Sequence, residues 1–161
     1  MVDIPGDDSR GFAGVERDHL RAGSLAGFEW IRYDRPSPRN PMRVPLAQAR
    51  VGLVDSSGAH VVGTPPVGAS GRAALTPVGA AVEFTHPGFD VQRATPDPDT
   101  VHPVGVLQRL AARGVIGEVA PIAVSVMGGV LIGQRLIDRG VPATVAAMVE
   151  QQVDLVLLVP V

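Results

Sequence analysis

The chain contains no cysteine, and all 14 of its basic residues are arginine, so lysine is absent as well. The first absence excludes disulfides, thiolate nucleophiles and cysteine-based metal sites within these residues. The second removes Schiff-base and lysine general-base chemistry. Aromatic residues make up only 4% of the chain. Long hydrophobic runs are missing too: Val124–Val130 and Leu155–Val161 are broken by Gly or Pro well short of the ~20 residues that a membrane helix needs. No membrane association is expected. The arginines are scattered along a chain of net charge −2, which argues against a nucleic-acid groove. The opening residues Met1–Asp8 are acidic and lack the basic start and apolar stretch of a secretory signal, so a cytoplasmic location is expected.

What is present suits one domain. Hydrophobic residues are 45% and charged residues 19% of 161, with a mean hydropathy of +0.22, a balance that excludes disorder of the whole. Residues 1–45 are rich in breakers and carry Phe12, Phe28, Trp30 and Tyr33 before the Pro-rich stretch Arg35–Pro41. They read as an N-terminal arm covering apolar surface, with a short helix over Val15–Ala22. From Leu46 to Val161 the pattern changes to a folded domain. Arg50–Asp55 reads as a buried parallel strand, Val61–Leu75 as a long loop, and Ala80–Phe84 as a second strand. Val104–Arg113 has helical spacing and Gly114 as its stop. Pro121–Val126 is a third strand. A helix over Val130–Arg139 ends at Gly140, and Pro142 opens another through Ala143–Gln152. Asp154–Val159 is a final apolar strand. Strands alternating with helices predict an α/β fold, an open parallel sheet with flanking helices. Such sheets bind ligands beyond the carboxyl ends of their strands. This sheet is expected to be incomplete at its C-terminal end, where the chain stops just after a central-looking strand.

Several segments occur in the order of one family: Leu46–Val54, Ser57-Gly58-Ala59-His60, Thr85–Asp90, Asp97–Pro103, Leu107–Gly117, Ser125-Val126-Met127-Gly128 and Val153–Val161. Together they resemble the selenoprotein B subunits of the glycine, sarcosine and betaine reductases, and most of all their shorter relative, the D-proline reductase selenoprotein subunit. The resemblance implies reductive cleavage of a carbon–nitrogen bond alpha to a carboxylate, on a small amino acid or amine. It implies a redox-active selenocysteine or cysteine just after the strand matching Leu155–Val159, that is beyond Val161, and a pyruvoyl group on a partner subunit. No cofactor is expected within this chain itself. A selenocysteine codon read as stop, a split subunit completed by a partner protein, and a degenerate pseudoenzyme all accommodate the sequence. A non-catalytic subunit that pairs with a second chain is the alternative reading.

In that setting His86 and His60 are the candidates for tuning a nucleophile or shuttling a proton. Both follow strands and are expected at one end of the sheet, with Asp90, four residues after His86, placed to orient it. Ser56, Ser57 and Gly58 form a loop that can cradle a substrate carboxylate, together with Gly128-Gly129. Asp99 is a further candidate for substrate binding, weighed against a role with Asp97 and Thr100 in capping the next helix. His102 is expected to face solvent or that cap. No close-spaced pair of metal ligands, no G-x-G-x-x-G or P-loop and no G-x-S-x-G elbow is present, so metal, nucleotide and serine-hydrolase chemistry are not expected.

Overall fold

A computed structural model of the chain describes residues 9–23, 25–30, 35–38, 40–130 and 133–161, in two compact units, Met1–Pro38 and Arg39–Val161. In the first unit the expected short helix starts earlier, as α1, Ser9–Ala22. His19 and Arg21 in its last turn complement the helix dipole. The following residues turn back, so that the Trp30 indole Nε1 donates to the Ala13 carbonyl at 2.9 Å and Arg21 Nε donates to that of Phe28 at 2.8 Å. Phe28 and Trp30 meet edge to face, with centroids 5.0 Å apart. The acidic start, Tyr33, Leu131 and Ile132 lie outside the described residues.

The second unit is built on β1, Arg50–Asp55. Val51 and Leu53 face one cluster with Leu107, Ile116 and Ala123. Val54, on the opposite face, packs on Val124, Ala147 and Met148. Burial on both faces is what a near-continuous apolar run predicts for a central parallel strand. In chain order β2 is Ala59–Val61, β3 Ala73–Pro77, β4 Val82–Phe84, β5 Glu118–Val119, β6 Ile122–Val126 and β7 Leu155–Val159. Strands β5, β6 and β7 all run parallel to β1, and β6 and β7 lie on opposite sides of it, as the order β3-β6-β1 with β7 also paired to β1 requires. The helices are α2, Val91–Ala94, α3, Val104–Ala112, and α4, Gly133–Glu150. Residues of α3 pack on the Val51/Leu53 face, and those of α4 on the Val54/Val124 face.

The α/β class stands, and three details differ from expectation. The sheet is mixed, because β3 lies antiparallel to β6 from Ala73↔Val126 to Pro77↔Ile122, partly within the stretch expected to be loop. Its sequence, Ala-Ala-Leu-Thr-Pro, has weak strand propensity, and the ladder to β6 makes it a strand. The expected second strand exists as β4 but pairs with β2 in a separate two-stranded ribbon. The two helices expected around Gly140 are one. Gly140 is buried: a Cβ there would lie 2.7 Å from the Gly71 carbonyl oxygen, so the glycine lets α4 touch the turn before β3. Pro142 falls on the exposed face of the helix, and its missing amide leaves the Asp138 carbonyl without its i+4 donor.

Candidate functional site

The carboxyl ends of β1, β6 and β7 bring Ser56, Gly128 and Val161 side by side. Because β6 and β7 lie on opposite sides of β1, this is the place where the connections leave the sheet in opposite directions. Ser56 joins the three ends. Its amide donates to the Val159 carbonyl at 3.1 Å, and its own carbonyl accepts from the Gly128 amide at 2.8 Å. Its hydroxyl accepts the Val161 amide at 2.8 Å and lies 3.3 Å from the Val161 oxygen.

His86 is laid over this row by the segment after β4. The Gly58 carbonyl accepts from the Thr85 amide at 3.2 Å, while the Gly58 amide donates to Val126 at 2.9 Å. Gly58 holds a φ of +69°, and a Cβ at that position would run into the Thr85 carbonyl; only glycine allows the crossing. The imidazole rests against Phe89 with centroids 4.7 Å apart. Its Nδ1 accepts the Gly88 amide at 2.9 Å, so the neutral ring carries its proton on Nε2. Nε2 is buried and has no hydrogen-bond partner among the described residues. A Cβ on Gly128 would fall 2.6 Å from Nε2 and 3.0 Å from both the Ser56 and Val161 oxygens. The unpartnered N–H therefore sits directly over the Gly128 backbone at the ends of the strands. Desolvation by burial holds the His86 pKa below its ordinary value, so the ring is a neutral donor near neutral pH.

The other candidates are placed differently. His60 lies on β2, opposite Glu83, and is 4% exposed. Its Nε2 is 3.2 Å from the Thr85 hydroxyl and its Nδ1 is 3.5 Å from Glu83 Oε1. It reaches the His86 segment through Thr85 and makes no direct bond to His86. Asp90 does not orient His86: it caps α2, accepting the Gln92 amide at 3.0 Å, and the Gly88 amide does the orienting. Asp99 accepts the Gly105 amide at 2.7 Å and Arg109 at 3.0 Å, thereby capping α3. Ser57 is fully buried and its hydroxyl is spent on Asp55.

That last contact belongs to a network the sequence did not reveal. Asp55, ending β1, is 2% exposed. Its Oδ1 accepts from the Ser57 amide at 3.0 Å, the Ser57 hydroxyl and the Ser125 hydroxyl at 2.6 Å. Its Oδ2 pairs with His102 Nδ1 at 2.7 Å. His102, expected to face solvent or the cap of the helix that follows, is 4% exposed, because a buried carboxylate needs a donor for its second oxygen. The one available signal was the acid closing an apolar strand; its partner lies 47 residues away. No group of three or more metal-ligating side chains gathers among the described residues, and no helix among them is long and apolar enough to cross a membrane.

The family model for glycine/sarcosine/betaine reductase selenoprotein B matches residues 32–160. Comparison with curated proteins and with solved structures gives no match.

Proposed function

The chain belongs to the glycine/sarcosine/betaine reductase selenoprotein B family, and from that premise we propose that it is the scaffold of a reductase site that cleaves a carbon–nitrogen bond of a small amino acid or amine. The observation that carries the reading is the buried, unpartnered Nε2–H of His86 over Gly128, beside Val161 and Ser56. In this proposal a selenolate or thiolate carried beyond Val161 would attack the substrate carbon, forming a carbon–selenium or carbon–sulfur bond as the carbon–nitrogen bond breaks and the nitrogen leaves as the amine. A pyruvoyl group on a partner subunit would hold that nitrogen, and a second thiol would supply the two electrons that release the reduced product, leaving a selenenyl sulfide or disulfide. The residues present suit an anion at that place. His86 offers a donor with no competing acceptor among the described residues, and a neutral donor stabilises a neighbouring anion by hydrogen bonding. Ser56 fixes the segment after β7 by hydrogen bonds through its own amide and hydroxyl, which holds an attached atom in one place. The Asp55–Ser57–Ser125 network fixes the turn that carries Ser56. A D-proline reductase-like substrate and a cytoplasmic location are parts of the same reading.

A second polypeptide is part of the proposal. Strand β7 is apolar throughout, pairs with β1 alone among the described residues, and leaves Leu158 69% exposed. Such an edge favours a further strand. The alternative, a non-catalytic subunit completing a partner's sheet, draws on the same edge.

The test uses the complete assembly from its native source, with glycine, sarcosine, betaine and D-proline as probe substrates and amine release or ring opening as the readout. His86→Ala is expected to lower turnover while the assembly still folds; unchanged turnover refutes the site. Intact mass separates the two placements of the nucleophile. A mass above 16.7 kDa is expected for one carried on the same chain, and a mass matching Met1–Val161 transfers it to the partner.

A further inference from the structure

A second cluster of charge stands two strands away from β7, at the carboxyl end of β6 where β3 begins. The turn Ser70-Gly71-Arg72 is fastened to α4 there. Gly71 has a φ of +74°, and a Cβ on it would lie 2.5 Å from the Arg135 carbonyl oxygen and 2.8 Å from Arg135 Cβ. Two guanidinium groups meet at Ser70: Arg139 Nη1 donates to its carbonyl at 3.3 Å, and Arg72 Nε lies 3.4 Å from its hydroxyl. Arg135 is one turn before Arg139, on the same face of α4. None of the three arginines forms an ion pair among the described residues. The neighbouring acid on the helix, Asp138, accepts from Gln134 at 2.7 Å instead. The two positive charges that meet at Ser70, those of Arg72 and Arg139, repel one another, and an anion relieves that repulsion.

Arg72 also lines a cleft of about 360 Å³ whose other walls are His60, Val61, Thr64–Val67 and Ala73–Leu75. Its lining is largely apolar, with Pro65, Pro66, Val67 and Leu75, the last 53% exposed. A cationic edge on an apolar cleft selects a particular chemistry. The apolar walls favour a hydrocarbon body, and the guanidinium favours a carboxylate, which it can grip through two parallel hydrogen bonds. The turn is preorganised, since Gly71 and Gly140 bring it into backbone contact with α4.

We propose that this cleft is a binding site for a small organic carboxylate, its body against Pro65–Val67 and Leu75 and its anion on Arg72, with Arg139, which meets Arg72 at Ser70, supplying the supporting field. The site uses residues separate from the Ser56, Gly128 and His86 row and does not depend on the proposed reductase chemistry. The test is a titration of the isotopically labelled full chain with butyrate, followed through its backbone amide resonances, with 1-butanol and inorganic phosphate as the companion probes. Butyrate is expected to shift the amides of Thr64, Val67 and Arg72–Leu75 saturably and to bind more tightly than either companion. Arg72→Gln is expected to weaken butyrate about tenfold, as loss of a charged hydrogen bond does, and Arg139→Gln by a smaller factor. All three arginines are exposed, so the variants should keep the spectrum of the folded chain, and that spectrum checks that they do. No saturable shift at those amides, equal binding of butanol, or unchanged binding in Arg72→Gln overturns the proposal. Phosphate binding as tightly as butyrate overturns the assignment to an organic anion.

Discussion

Replacing Gly128 by alanine isolates the contact on which the candidate site rests. The backbone at Gly128 is outside the left-handed region, so alanine brings no torsional strain and by itself lowers the entropy of the unfolded chain, a gain of about 0.4–1 kcal/mol. Against this stands the added methyl group, 2.6 Å from His86 Nε2 and 3.0 Å from two backbone oxygens. Ordinary contact begins near 3.4 Å, so the imidazole must retreat by about 0.8 Å and the two oxygens by about 0.4 Å. The oxygens belong to Ser56 and Val161, which the Ser56 hydroxyl ties together, so the ring is the part that gives. Overpacking of this kind destabilises by about 1–3 kcal/mol, which exceeds the entropic gain. We therefore expect Gly128→Ala to lower the urea midpoint, with the slope of the transition unchanged. We also expect the His86 ring to titrate closer to its ordinary value, because a displaced ring is better solvated. Urea unfolding and ring-resolved NMR titration measure the two effects. If the variant is as stable as the parent and the His86 titration is unmoved, the imidazole does not sit over Gly128 as described.

The lowered His86 pKa has a signed consequence. The unfolded chain takes up this proton at a higher pH than the folded one, so stability falls as pH drops below about 6.5. His86→Ala should remove that part of the slope in urea midpoints measured from about pH 7 to 5, and an identical slope in the variant would disprove it. Asp55→Asn should destabilise by about 2–3 kcal/mol, because the amide nitrogen replaces an accepting oxygen and leaves buried donors of Ser57, Ser125 or His102 without an acceptor; a loss under about 0.5 kcal/mol in urea unfolding would refute the buried hydrogen-bond network. Asp99→Ala removes the cap on the Gly105 amide and should cost about 1 kcal/mol. Its effect on amide exchange should concentrate in the first turn of α3, and uniform or absent change there would contradict the capping role.

What could be read from the sequence was what local pattern determines. The apolar run of β1 dictates a central strand, and the spacing from Val104 followed by Gly114, which adopts a φ of +68°, dictates α3 and its end. Local signals misled where tertiary contact reversed them. Gly140 and Pro142 both read as punctuation, yet α4 passes through them: the glycine is needed for contact with Gly71, and the proline faces water. Strand β3 has no pattern of its own and exists through its ladder to β6. The site divides the same way. That Ser56 belongs at a strand end follows from its place after β1, whereas His86 follows β4, which is outside that sheet, and reaches the strand ends through the Gly58–Thr85 contact. Which atoms meet there does not follow from such placement, because Gly58 and Thr85, or Asp55 and His102, approach across tens of residues. Asp90 shows the limit of reasoning from spacing. Four residues after a histidine is a suitable interval for orienting it on a helix, but residues 86–89 are not helical, and off a helix that interval carries no geometry. The carboxylate caps α2 instead, and the backbone amide of Gly88, which every residue but proline would supply, sets the tautomer that points the His86 proton at the strand ends.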